Sequence, residues 1–469
     1  MVKQLSRVPI KSSVVSALLL MCLLMCLLVS CGYSGTTADS GSQGQQGQAS
    51  GTPTRNCPAE ETVKHAEASS VAYTVSWEAV GADADTNRGV SALHVSALDA
   101  TSGKLLWQKA PVKISALYQS SVQQVVDGVL YIAGISSQSV LVLAVDTRDG
   151  HAIWQYTERQ GGISAISICA NKVYLRIGTA EVTALHTNNG KVLWSHNEKD
   201  VAVSDLVVTT QVVYMAKLQP TGSGGIRSSV VALGADTGKV LWSRPYGGQQ
   251  VSGFSLVANG PAVYVINQVQ SNSSGDPMMA LVSSVQALDG ASGKVLWKAD
   301  MPPNMEQINV LRVGAIIYLN GQYLLNQNQS LLVALSASDG KQLWLRKHSY
   351  NQITVLGAQD IYGYQGYAPG DDPRGKKQLC LLDGTSGKDR WCVGSLQPSQ
   401  FSLSATRDMV IVEETLQPGP LTLIQNIYGV RKHDGKILWK LPWKSSSPSV
   451  QTLTLVTVME NQSFTRLVA

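Results

Sequence analysis

Charge is scarce in this chain. Asp, Glu, Lys and Arg make up 15% of its 469 residues, and the formal net charge is only +5. Removal of a basic start (Lys3, Arg7, Lys11) would leave 5 − 3 = +2, and a body so close to neutral excludes nucleic acid or a strongly acidic molecule as the expected partner. Phenylalanine is almost missing, with three copies, so Trp and Tyr carry the aromatic packing. Helical periodicity is nearly absent, which excludes a helical bundle. No Gly-x-Ser-x-Gly, His-Glu-x-x-His or phosphate-loop spacing occurs, which removes the hydrolases and nucleotide enzymes those motifs mark. The seven His residues are scattered, with none paired at metal-ligand spacing. Cys-x-x-Cys and a Cys/His cluster are also missing, so a metal centre is not expected.

What the chain does have is repetition. A Gly, three residues and a Trp recur eight times: Gly103/Trp107, Gly150/Trp154, Gly190/Trp194, Gly238/Trp242, Gly293/Trp297, Gly340/Trp344, Gly387/Trp391 and Gly435/Trp439. Successive Trp residues lie 47, 40, 48, 55, 47, 47 and 48 positions apart, a period that marks a repeat architecture. Each copy reads as an alternating strand, a turn cluster such as Asp149-Gly150 or Asn189-Gly190, and a second short strand. Gly accepts the positive φ that such a hairpin turn demands. Upstream of the hairpins lie apolar runs ending near Tyr73, Tyr131, Tyr174, Tyr214, Tyr264, Tyr318 and Tyr362, with Val410-Ile411-Val412 in the last copy. Between each Trp and the next Tyr there is room for one more strand, giving four antiparallel strands per repeat.

A four-stranded unit cannot bury both faces alone, whereas eight units stacked radially bury each face against a neighbour. The expected fold class is therefore all-β, an eight-bladed β-propeller of four-stranded antiparallel blades. Ala97, Ala144, Ala184, Ala232, Ala287 and Ala334 stand ten residues before their Trp, where a small residue beside a large ring suits close packing. The Trp rings are accordingly read as structural. The Lys three positions before Trp, replaced once by His151, is placed at the solvated end of the turn.

This Ala-x5-Gly-Lys-x-Leu-Trp pattern resembles the repeat of the pyrroloquinoline quinone (PQQ)-like β-propellers, over roughly Val71 to Ala469. Repeats seven and eight depart from it: Leu381 and Gly429 replace the Ala, and Arg390 replaces the apolar residue before Trp391, which suggests looser blades there. The resemblance raises two functions. Quinoprotein dehydrogenases in this group use an adjacent Cys-Cys pair against the cofactor, carboxylate and amide calcium ligands and an acidic base; this chain has no Cys-Cys. It also resembles the barrel-assembly propeller lipoproteins of outer membranes, which are scaffolds. The expectation is a non-catalytic binding or scaffolding module without PQQ or calcium, with a PQQ-dependent oxidoreductase as the alternative.

The chain start supports an exported protein. After the basic residues, Val14 to Val29 is apolar and ends at Leu28-Val29-Ser30-Cys31-Gly32, which resembles a bacterial lipoprotein signal in which Cys31 is lipidated. Residues 1–30 are read as the signal, 31–62 as a Gly/Ser/Gln tether too polar to fold, and 63–469 as the propeller. A lipid-anchored, extracytoplasmic monomer follows, on either the cell membrane or the outer membrane.

In that compartment disulfides persist. Cys380 and Cys392 flank the turn 384–387 symmetrically, which places them opposite each other in a hairpin and predicts a bridge. Cys57 with Cys169 is a possible second pair. Asp83, Asp85 and Asn87 alternate like calcium-loop donors, but the spacing is wrong for an EF-hand and a solvated loop is preferred. The distance from Tyr to the motif Ala grows from 10 (Tyr174 to Ala184) to 18, 23 and 24 in other repeats, so the insertions fall between second and third strands and share one face. Insertions on one face often mark the binding side of a repeat array. Tyr364, Tyr367 and Arg374, in the richest insertion, are the candidate protein-binding surface. Finally, the strand-like Val450 to Met459 has no Gly-x-x-x-Trp after it, and is expected to supply the innermost strand of the first blade and close the ring.

Overall fold

The computed structural model describes residues 71–465 apart from the connections 83–88, 111, 115–119, 136–139, 159–162, 199–201, 221–225, 247–250, 260, 272–279, 303–304, 324–325, 349–351, 356–359, 366–377, 395–399, 406–407, 420–421, 444–451 and 460–462. The signal, Cys31, the tether and the Asp83–Asn87 loop lie outside these residues. Within them, every regular element is a β-strand, and the strands form eight antiparallel sheets. Six sheets have four strands and two have five, the architecture of an eight-bladed β-propeller. We number blades one to eight along the chain, and strands first to fourth from the axis outward. First strands of successive blades, from eight through one to six, touch one another around the axis, and the Trp-bearing fourth strands form the rim.

The alternation visible in the sequence becomes a division between sheet faces. Second and third strands, flanked on both sides, are nearly continuous in burial: Val140–Asp146 in blade two is buried at every position. Each interface between blades has a buried apolar cluster, and the largest runs from blade seven through blades eight and one to blade two. It joins Leu379, Leu403 and Val410 to Val75, Leu93 and Leu130.

Closure uses the late strand. Thr452–Met459 pairs antiparallel with Val71–Ala82, from Ala72↔Met459 to Glu78↔Thr452, and is the first strand of blade one. Blade one supplies only its outer strands from the early sequence, so without Thr452–Met459 the edge of Val71–Ala82 would be left unpaired. A three-residue strand, Ser463–Thr465, then pairs with Ser120–Val126, the first strand of blade two. The outer edge of blade one is also split: Leu105–Gln108 and Val112–Ile114 both pair with Gly89–Asp99.

The repeat motif acts between blades. In all eight copies the Trp Nε1–H donates to a carbonyl in the turn of the following blade: Trp107 to Thr147, Trp154 to Thr187, Trp194 to Ala235, Trp242 to Gly290, Trp297 to Ala337, Trp344 to Gly384, Trp391 to Lys432 and Trp439 to Ala100. The last of these bonds joins blade eight to blade one. The motif Gly has φ near +70° in each copy, as the turn requires. Its second role is reception of the preceding ring: a Cβ on Gly190 would lie 2.6 Å from Trp154 Cε3, and one on Gly103 would lie 3.0 Å from Trp439. Inside each blade the Ala stands between two aromatics in register, as in Tyr174↔Ala184↔Trp194. The small side chain lets the rings meet across it, with centroids 5.9 Å apart in this blade. In blades three, five and six the Tyr hydroxyl donates to the same carbonyl that receives the Trp: Tyr174 to Ala235, Tyr264 to Ala337 and Tyr318 to Gly384.

Candidate functional site

The two ends of the ring are built differently, and only one can vary freely. Antiparallel succession puts the first-to-second and third-to-fourth turns at one end. There they are bonded to each other, through Thr147 N to Gly128 O, Thr187 N to Asn171 O, Ala235 N to Gln211 O, Gly290 N to Pro261 O, Ala337 N to Ala315 O and Lys432 N to Asp408 O. Short carboxylates brace the turns from within. Asp99 Oδ1 accepts from the N–H groups of Thr101 and Ser102, and Asp383 Oδ1 from those of Thr385 and Ser386. Both carboxyls are held below the usual range, Asp99 chiefly by the Ser102 N–H and hydroxyl, and Asp383 chiefly by the Thr385 hydroxyl and the Arg390 guanidinium. The motif Lys residues and His151 are exposed at this end.

The second-to-third connections lie at the opposite end, where the inserted residues fall. Part of each insertion is ladder and not loop, since a β-rich segment keeps pairing its backbone groups as it leaves the blade. In blade four Val212–Pro220 pairs with Ile226–Gly234 out to Pro220↔Ile226. In blade five Ala262–Ser271 pairs with Ala280–Asp289 out to Ser271↔Ala280, and in blade eight Met409–Gly419 pairs with Thr422–Arg431 out to Gly419↔Thr422. Blade three, by contrast, has Lys172–Ile177 and Glu181–His186 joined by three turn residues. The long-hairpin end thus carries extended two-stranded arms of unequal length on an even ring.

Of the candidate contact residues, only Tyr364 lies within the described residues. Tyr364 belongs to Asp360–Gln365, the second strand of blade seven, and its backbone pairs with Gln352 on one side and Leu379 on the other. It is a strand residue two positions before the connection 366–377, whereas the sequence had placed it within the inserted loop. Tyr367 and Arg374 lie in that connection, outside the described residues.

Cys380 and Cys392 stand directly opposite in the third and fourth strands of the same blade and are joined by a disulfide. Cys169 is buried and also disulfide-bonded, while Cys57 lies outside the described residues.

Blade seven carries an ionic contact at its turn. Its departure from the repeat, Arg390, extends along the turn and binds two carboxylates, Asp383 at 2.6 Å and Asp360 at 3.1 Å. Lys432 of blade eight approaches Asp360 at 3.6 Å, and burial pulls its ammonium below the usual lysine range. The apolar residue that other blades expose here is replaced by an ionic brace. Leu381 in place of Ala still leaves Tyr362 and Trp391 at 6.3 Å, although the buried Tyr362 hydroxyl has no hydrogen-bond partner among the described residues. In blade eight, Gly429 admits Trp439 even closer: a Cβ would be 2.2 Å from its ring.

Two polar groupings escaped the sequence reading. The turn of blade two gathers Asp146, Asp149 and His151, but Arg148 pairs with Asp146 at 2.6 Å and His151 with Asp149 at 2.7 Å. Nearer the axis, Asp205 in the first strand of blade four (Ala202–Val208) is buried. Its carboxylate accepts from Leu206 N and, across the interface, from Leu256 N of blade five. Burial raises its pKa to about 6, opposed by those amides and by Arg176 of blade three. Arg176, itself buried, donates to the carbonyl of Val203. Only the departure at Arg390 was visible as a signal; a single Asp in an apolar strand carries no periodic mark.

Comparison with known proteins agrees with this architecture. The crystal structure of BamB from Moraxella catarrhalis is similar over 73% of this chain and 96% of that one, with 16% identity and a TM-score of 0.46. The quinohemoprotein alcohol dehydrogenase ADHIIG from Pseudomonas putida HK5 is similar over 68% of this chain and 66% of that one, at 14% identity and a TM-score of 0.47. Dihydro-heme d1 dehydrogenase NirN aligns over 83% and 78%, at 12% identity and a TM-score of 0.53. No curated protein matches by sequence. Likeness at this identity speaks to fold alone. A family model matches twice, over residues 92–281 and 281–465, which together span most of the ring; the chain belongs to the family described as outer membrane protein assembly factor BamB.

Proposed function

We propose that this protein is a non-catalytic propeller, lipid-anchored through Cys31 outside the cytoplasm, that binds a protein partner on its long-hairpin end. The family match over both halves of the ring carries the reading, and it supports an extracytoplasmic, membrane-associated location in general terms. The uneven arms of blades four, five and eight add support, because extended hairpins on a rigid frame offer backbone edges and side chains to a partner without cost to the ring. Tyr364, Tyr367 and Arg374 are the proposed anchors.

The dehydrogenase alternative would need a quinone site. The disulfide between Cys380 and Cys392 belongs to the outer half of blade seven, away from the axis. The buried Asp205 is already held by two backbone amides beside Arg176. We derive no redox step.

The test combines two measurements on exported protein. Pull-down from detergent-solubilised membranes should recover a protein partner. A variant with residues 219–227 replaced by a two-residue Asn-Gly turn, or with Tyr364→Ala, Tyr367→Ala and Arg374→Ala together, should lose it while keeping its melting temperature. Undiminished recovery with both variants would place binding elsewhere. Stoichiometric uptake of PQQ with calcium, followed by alcohol-dependent dye reduction, would overturn the non-catalytic reading.

A further inference from the structure

Cys169 is the last residue of Ile163–Cys169, the first strand of blade three, and directly precedes the turn in which Ala170 and Asn171 take positive φ. It is fully buried in the apolar cluster between blades three and four, and its sulfur is in a disulfide. Among the described residues the other two cysteines, Cys380 and Cys392, are bonded to each other. The sulfur that meets Cys169 therefore belongs to the chain before Val71, where the sequence offers Cys22, Cys26, Cys31 and Cys57. On the lipid-anchor reading proposed above, Cys22 and Cys26 leave with residues 1–30 and the Cys31 sulfur carries the lipid. Cys57 remains, and unbonded it would be an odd thiol in a compartment where disulfides persist.

We infer that Cys57 is bonded to Cys169, so that the tether is pinned to blade three and the ring hangs from its turn end. The bond closes when the two thiols give up two protons and two electrons to a disulfide-bearing oxidant of that compartment. Reach permits the pairing. Val71, next to the pair Ala72↔Met459, is also at the turn end. Around the axis between it and Cys169 stand Thr452–Met459 and Ser120–Val126, the first strands of blades one and two, each touching the next first strand. That path is about 25 Å, for one step between paired strands and two between packed sheets. The 71 − 57 = 14 residues from Cys57 to Val71 extend to at most about 50 Å.

Both fixed points of the N-terminal segment, Cys169 and Val71, stand at the end opposite the arms of blades four, five and eight. The membrane leash thus joins the end that is uniform from blade to blade, and the unequal hairpins are turned away from its attachment. The leash is shorter as well: from Cys31 the ring is held after 57 − 31 = 26 residues and not after 71 − 31 = 40.

The bridge is read directly in the full exported protein. After alkylation of free thiols, a non-reduced digest should give Cys57 and Cys169 in one linked pair of peptides by mass spectrometry. An alkylated Cys57, a Cys31–Cys169 link or a Cys169 link between two copies would overturn the inference. Pinning is tested by replacing residues 59–65, which lie between Cys57 and Val71, with a site for a sequence-specific protease. After cleavage the ring should stay with the membranes and leave them when dithiothreitol is added. With Cys57→Ser in the same chain, protease alone should release it. Release of the unsubstituted form by protease alone would overturn the pinning, and so would retention of the Cys57→Ser form after cleavage. A ring found in the soluble fraction before any cleavage would overturn the lipid anchor instead, and the linked peptides would still decide the bridge.

Discussion

The turn end and the long-hairpin end of this ring are made by the same strands and obey opposite rules. At the turn end every repeat has the same short connection from third to fourth strand, the same Gly with positive φ and the same indole bond to the next blade. At the other end the second-to-third connection varies, from three turn residues in blade three to paired arms in blades four and five. The difference follows from what each end must do. A Trp that bonds forward and packs on the next Gly couples neighbours, so a change in one turn shifts two blades. A hairpin arm touches mainly itself, so its length can change while the ring stays closed.

The largest test removes closure itself. Deleting residues 448–469 takes away Thr452–Met459 and leaves the inner edge of Val71–Ala82 unpaired within the largest apolar cluster. Thermal or denaturant unfolding should show loss of the whole fold in one cooperative transition, not fraying at one blade. A truncated protein with unchanged melting temperature and protease resistance would mean that the forward bond from Trp439 to Ala100 closes the ring unaided.

Next in size is the staple. Trp194 is 9% exposed, lies on Gly238 of the next turn, and donates to Ala235 O at 3.0 Å. Trp194→Ala should cost about 3–5 kcal/mol in urea or guanidinium unfolding. Its neighbour Tyr174 would lose a ring contact and keep its own bond to the same carbonyl. A loss below about 1 kcal/mol, the size of one net hydrogen bond, would show that the ring packing contributes little.

A smaller effect is set by pH. The turn-end carboxylates Asp99 and Asp383 have lowered pKa values, so the stability they add is present above the usual carboxylate range and is lost only as pH falls through their folded values. Asp205 has the opposite sign. With its pKa raised by burial from the ordinary carboxylate range to about 6, its stabilising contribution is full below the unfolded value and is lost as pH rises through about 6. A shift of this kind corresponds to at most about 3 kcal/mol between pH 4 and pH 8. Melting temperatures across that range should fall for the parent protein and change less for Asp205→Asn, which removes the titration while retaining one acceptor. Parallel curves for the two proteins would assign the pH dependence to another group.

These contrasts also explain what was readable from the sequence. The fold was legible because its determinants recur at one period: Gly, Trp, Tyr and Ala mark turn, rim strand and core in nearly every repeat. The reason for Gly was only half visible. Positive φ can be inferred from a turn, but the indole arriving from the preceding blade, 2.6 Å from a would-be Cβ on Gly238, is a contact between residues more than forty positions apart. Blade seven holds contacts of the same hidden kind. Arg390 in an apolar position looked like loosening, yet it binds Asp360 and Asp383, residues that no local pattern links. The candidate surface was the least legible part, because insertions announce where a chain departs from its repeat and not what the departure touches.

The smallest expected effect tests the hairpin end directly. In blade four, replacing residues 219–227 by an Asn-Gly turn deletes the pairs Gln219↔Arg227 and Pro220↔Ile226 and leaves the ladder from Leu218↔Ser228 to Val212↔Gly234. Gln219, Pro220 and Arg227 are exposed, and Leu218 is only partly buried, so little core is removed. Lost ladder bonds are offset by a shorter closed loop, for which halving the length is worth only about 0.6 kcal/mol. Asn-Gly supplies the positive φ values that a two-residue hairpin turn needs. The net change in unfolding free energy should stay within about 1 kcal/mol, small beside the Trp194→Ala loss. If trimming this arm destabilises the ring as much as removing the indole does, the two ends are mechanically equivalent, and the long hairpins belong to the frame instead of standing free for a partner.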